Sequence, residues 1–138
     1  MAGKSQYLEN AMLNWLKGTT FVAAPTTVYV ALYTTAPTDD SGAGAVEVSG
    51  GSYARASITT SSGWSTISGA PSAPAQISNG STITFATPTA SWGTVVAIGI
   101  YDASSAGNLL YWNTITSQAI GSGVVASFAA SALIVTED

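Results

Sequence analysis

Trp92–Ile115, WGTVVAIGIYDASSAGNLLYWNTI, reads as two strands around a turn. Val95–Tyr101 and Leu109–Ile115 are crowded with β-branched and aromatic residues. Asp102–Asn108 between them consists of Asp, Ala, Ser, Gly and Asn, several of which suit tight or left-handed backbone. Simple alternation puts Val96, Ile98 and Ile100 on one face and Val95, Ala97 and Tyr101 on the other. Both faces are apolar, so both have to be covered, by a second sheet of the same chain or by another chain.

The flanking sequence repeats this character. In Thr27–Thr34, TVYVALYT, Val28, Val30 and Leu32 oppose Tyr29, Ala31 and Tyr33, which predicts another central strand. Ala36–Gly44 is a loop, and Val46–Val48 and Tyr53–Thr59 are extended. Asn79-Gly80, between Gln76–Ser78 and Ser81–Phe85, predicts a type I′ hairpin. Residues 60–76 read as a long loop with a short edge strand. Trp64 and Ile67 are its possible anchors, and Gly69-Ala70-Pro71-Ser72-Ala73-Pro74 punctuates it. Val124–Ala130 and Leu133–Thr136 add two more strands. The pattern predicts one all-β domain over residues 1–138, jelly-roll-like or a β-sandwich of about eight strands, with one N-terminal α-helix. The sandwich covers about residues 21–136, and no repeat of fixed period is visible.

The helix is expected over about residues 5–17. Leu8, Ala11, Met12, Trp15 and Leu16 follow the i, i+3, i+4, i+7, i+8 spacing of one stripe. Ser5 suits the N-cap and Gly18 the stop. So short a helix is marginal alone, so its stripe is expected to dock, on its own sheet or on a partner.

Composition narrows the function classes. Charged residues are only 7% of the chain against roughly 25% in ordinary domains, while 46% are hydrophobic. Such a neutral surface suggests burial in an assembly, hence a homo-oligomer (dimer or trimer) or a bound subunit. Lys4, Lys17 and Arg55 are the only cations and the net charge is −4. Three scattered cations make no stripe for nucleic acid and no polybasic membrane patch. The N-terminus lacks the apolar core of a signal peptide, so a soluble protein made in the cytoplasm is expected.

With no His and no Cys, Ser-His, Cys-His and His-metal chemistry is absent. Asp39, Asp40 and Asp102 lie in turns, where they ordinarily bond their own backbone, so neither a carboxylate pair nor a Ca²⁺ loop is expected. No catalytic residue, cofactor or metal is therefore assigned. Trp64 and Trp92, beside Ser/Gly-rich loops, are the only candidates for stacking on a sugar ring, with packing the plainer reading.

The strings YLENAMLNWLKG, TVYVALYTTAPTD, EVSGGSYAR and TPTASWGTVVAIGIYDASSAGNLLYW resemble a family of small tailed-phage virion proteins often labelled phage tail fibre proteins. The resemblance covers nearly the whole chain and departs most over Thr60–Gln76. Similar all-β proteins of this size serve as capsid cement or decoration proteins. The resemblance implies a virion structural protein and not an enzyme. A cement subunit on the outer capsid, contacting the major capsid protein and copies of itself, comes first. A tail or tail-fibre component comes second and a carbohydrate-binding adsorption module third. Tyr7, Leu8, Met12, Trp15, Asp39, Asp40, Trp64 and Trp92 are the candidate partner contacts.

Overall fold

The computed structural model describes residues 3–69 and 73–137. Part of the expected punctuation, Ala70-Pro71-Ser72, lies outside them. The order of elements is β1 (Gly3–Lys4), α1 (Gln6–Leu16), β2 (Thr27–Thr35), β3 (Val46–Glu47), β4 (Ala56–Thr59), β5 (Ala75–Ser78), β6 (Ile83–Thr84), β7 (Gly93–Tyr101), β8 (Leu109–Ile120), β9 (Ser127–Phe128) and β10 (Ile134–Glu137). The fold is all-β with one N-terminal helix. An antiparallel six-stranded sheet runs β1-β8-β7-β2, and β3 and β4 pair with opposite ends of the far edge of β2. Two short antiparallel ladders, β5 with β10 and β6 with β9, supply the rest.

The main core lies between the sheet and these ladders. Val28, Val30, Leu32, Ile58, Ile98 and Ile100 from the sheet meet Ile83, Phe85, Leu133 and Val135. The opposite face carries a smaller cluster of Ala31, Tyr33 and Ala97, covered by Ala36, Ala45, Val96 and Tyr101. Both faces of β2 and β7 are thus covered from within the chain. The loop after β2 does for the second face what a second sheet of the same chain or another chain was expected to do. Gly99 is needed there, because a Cβ would press to 2.9 Å from the Tyr33 ring and 3.0 Å from Leu109.

Simple alternation misassigns two residues of β7, Val95 and Val96. The β7–β8 register shifts between Val95 and Ala97, so Val95 joins Ile98 and Ile100 in the main core and Val96 packs with the second cluster. A β-bulge inserts one residue, and every side chain on one side of it changes face.

The expected Asn79-Gly80 hairpin is not formed. β5 and β6 pair with β10 and β9, and neither Asn79 nor Gly80 has the positive φ of a type I′ turn. Asn79 is instead buried, and its amide works as a three-way bracket. Nδ2 donates to the carbonyl oxygens of Ser81 and Ala129, both at 2.8 Å, and Oδ1 accepts from the Leu133 N–H at 2.8 Å. These bonds satisfy the backbone at the junction of the two ladders, where no strand partner is available.

Candidate contact surface

The helix begins as its residues dictate. Ser5, almost fully buried, caps it by accepting from the Leu8 N–H at 3.2 Å. The start is fastened twice more, by Ser5 N donating to Leu110 O and Gln6 N to Asp40 O, both at 2.8 Å. Gly18, at φ +86°, ends it in left-handed backbone. Tyr7 and Leu8 are half-buried and Ala11 is buried at this fastened end.

Beyond that first part the helix has no cover. Trp15 is 61% exposed and Leu16 74%, with Met12 and Leu13 also exposed, and the connector adds exposed Phe21 and Val22. Docking of the whole stripe on the chain's own sheet, one of the two expectations, therefore fails after Ala11. The reason is reach: the backbone bonds from the helix to β8 and the Asp40 loop are made at Ser5 and Gln6, at its very start. Leu13, off the expected stripe, belongs to the exposed apolar surface and was missed because the stripe was drawn for burial against one sheet.

The loop carrying Asp39 and Asp40 is a strap for the helix. Asp39 accepts from Ser41 N at 2.9 Å and from Ser41 Oγ at 2.5 Å, and these bonds hold its carboxyl below the usual range. Asp40 gives its carbonyl to Gln6 and its carboxylate to the Trp112 indole N–H at 3.2 Å. Asp39 remains exposed, while Asp40 is half-buried in internal bonds. Among the described residues no three acidic side chains converge to hold a metal ion, and no helix is long and apolar enough to cross a membrane.

Of the two Trp residues considered for sugar stacking, Trp92 belongs to the core. It is 4% exposed, lies edge-on to Tyr53 and Phe85, and donates its N–H to Gly51 O at 3.0 Å. Its aromatic face is filled by the chain, which corrects the expectation that it is a partner contact. Gly51, at φ +55°, lies so close to Ala90 that a Cβ would meet the Ala90 oxygen at 2.9 Å. Trp64 is half-buried and lines an apolar groove of about 260 Å³ with Val28, Ile67, Ile77, Leu110 and Tyr111. Gln76 and Glu137 are its polar lining side chains. Glu137 already pairs with Lys4 at 2.5 Å and accepts from the Tyr111 hydroxyl.

The segment EVSGGSYAR forms a second internal staple. Glu47 grips Arg55 with both oxygens, each at 2.8 Å, and accepts from Tyr53 Oη at 2.9 Å. The third nitrogen of the guanidinium, Nη1, donates to Ala103 O and Ala106 O, fixing the turn between β7 and β8. The Tyr33 and Tyr101 hydroxyls meet beside it at 2.6 Å. Burial pushes the Tyr33, Tyr53 and Tyr111 phenols well above their ordinary value of 10.

The geometry thus separates a self-satisfied interior from an apolar projection that the chain itself leaves uncovered. No curated protein matches the chain. A family profile described as Podophage GP4 fiber I protein gp80 matches residues 3–136, from the strand before the helix to the last ladder. The Glu47–Arg55 staple and the projecting helix fall inside that match, and the chain belongs to this family of phage virion proteins.

Proposed function

We propose that the protein is a non-catalytic structural subunit of the phage particle, joined to its neighbours by the free end of α1 and the connector. The observation that carries this is the exposed quartet Met12, Leu13, Trp15 and Leu16, on a helix fastened only at its start. Apolar side chains gathered on one element in this way mark an interaction surface. The carboxylates point the same way. Asp39, Asp40, Glu47, Asp102 and Glu137 all accept hydrogen bonds within the chain, and there is no His or Cys to act with them.

The family description supports a place in the fibre apparatus. A capsid cement subunit, bound outside the shell to the major capsid protein, is a second reading. It is favoured by the compact body, whose sheet and ladders close around a core and carry no fibrous repeat. In either place modest contacts add up over many copies.

Cryo-EM of intact particles tests both. Density for the domain on the fibres supports the first reading, and density spread over the capsid lattice replaces it with the second. Absence from the particle overturns both. Leu16→Glu, at an exposed position, should leave the fold intact and lower occupancy on the particle.

A further inference from the structure

We propose that the cleft between the start of α1, the Asp39–Asp40 loop and the turn after β7 binds a neutral pyranose sugar. It holds about 320 Å³, within the roughly 300–1,000 Å³ of small-molecule sites. Ser5 and Leu109 are the buried residues of its lining, and Tyr7, Asn10, Asp40, Ser41 and Asn108 bring it out to the surface. The cleft lies at the fastened end of α1, apart from the exposed Met12–Leu16 surface.

Three observations select the ligand. The first is a mixture of donors and acceptors. A sugar hydroxyl both donates and accepts, and side-chain amides and hydroxyls offer both kinds of partner. Asn10 and Asn108 supply the amides, and Tyr7 and Ser41 the hydroxyls. Tyr7 also presents an apolar ring with a polar tip, which suits a pyranose, apolar at its ring carbons and hydroxylated at its edge. The second is that much of this capacity is unspent. Among the described residues the Tyr7 hydroxyl and the Asn10 amide make no hydrogen bond. Asn108 gives Nδ2 to Asp102 at 2.8 Å, which leaves its amide oxygen, and Asp40 gives Oδ1 to the Trp112 indole N–H at 3.2 Å, which leaves Oδ2.

The third observation is charge. No Lys or Arg lines the cleft, and its one formal charge is the Asp40 carboxylate, which repels phosphates and acidic sugars. The helix start adds little pull on an anion, because Ser5 Oγ already takes the Leu8 N–H and Asp40 O the Gln6 N–H. The same bonds, with Asn108 N on Asp102 Oδ1 at 2.7 Å, fix the walls before a ligand arrives. A site held in place loses little ordering entropy on binding.

Saturation-transfer NMR on the purified chain tests this with the methyl pyranosides of glucose, galactose, mannose and N-acetylglucosamine, and with the glucuronide. Transfer to at least one neutral glycoside is expected, with a shift of the Trp112 indole N–H, which Asp40 holds. Asn10 is exposed, so Asn10→Ala should keep the melting temperature and raise Kd about tenfold, the loss of one hydrogen bond. The glucuronide, the glucose ring with a carboxylate added, should bind more weakly than the glucoside. No transfer to any neutral glycoside, an unchanged Kd in Asn10→Ala, tighter binding of the glucuronide, or an indole shift at Trp64 in place of Trp112 overturns the site. All of these are read on the isolated protein, so they stand or fall apart from its place on the particle.

Discussion

The guanidinium carbon of Arg55 lies 3.6 Å from the centroid of the Tyr101 ring, while its edge holds both oxygens of Glu47. One side chain therefore joins β3, the approach to β4 and the turn after β7. Arg55 has a 7% exposed side chain and Glu47 28%, so the pair is largely, not wholly, withdrawn from water. Removing one partner of a fully buried pair costs about 3–5 kcal/mol. Arg55→Ala is expected to cost about 2–3 kcal/mol in urea unfolding, reduced by that residual exposure. Arg55→Lys should recover little, because an ammonium cannot hold Glu47 bidentately and also reach two carbonyl oxygens.

Asn79→Asp is expected to destabilise more than Asn79→Ala. Alanine leaves Ser81 O, Ala129 O and Leu133 N without the amide, at about 1–3 kcal/mol for each buried group that finds no water. Aspartate keeps the acceptor for Leu133 but turns a carboxylate oxygen toward two carbonyl oxygens. Thermal melts of both variants check the order.

Alkaline pH should weaken the fold from about pH 10 upward. Tyr33, Tyr53 and Tyr111 have phenols raised by burial, so above their unfolded value of 10 the unfolded chain releases protons that the folded chain retains. Their contribution is complete below pH 10 and declines as pH climbs toward the raised values. Phenolate absorbance should show these three ionising late, or only on unfolding, and Tyr33→Phe should flatten the decline.

Ile98→Asp should prevent folding, because an unpaired carboxylate in the main core costs several kcal/mol, comparable with a small domain's whole stability. Ser104→Asp lies in the exposed turn after β7 and should change the urea midpoint little. Equal loss in both would show that the turn is not free.

The two long central strands were readable because they are covered on both faces, and β-branched runs of that length have few other uses. Val95 and Val96 were misassigned because a bulge has no compositional mark: Val95, Val96 and Ala97 are all apolar, so either face accepts them. Asn79 was misread for a related reason. Its local preference for a turn competes with a long-range use of its amide, and the partners Ala129 and Leu133 lie about fifty residues away. The helix and both its ends were legible from capping residues, but not its lack of cover, since periodicity reports an apolar face without saying what meets it. Trp92 looked available because Ser and Gly surround it. Gly51 is small for the opposite purpose, to let backbone and indole close on each other.

The bracket at Asn79 also bears on how the protein ages. In an open turn Asn-Gly is vulnerable to deamidation, because the glycine nitrogen, with no side chain beside it, can attack the asparagine side-chain amide carbon, expel Nδ2 as ammonia and close an imide ring. Here that nitrogen donates to Gly63 O at 2.8 Å, and the amide is held by three backbone groups. Ring closure would have to break this set first, so the reaction waits on local unfolding. A particle that persists outside a host has no means to replace a damaged subunit, and its storage lifetime should follow the opening rate of the ladder junction rather than the chemistry of a free Asn-Gly.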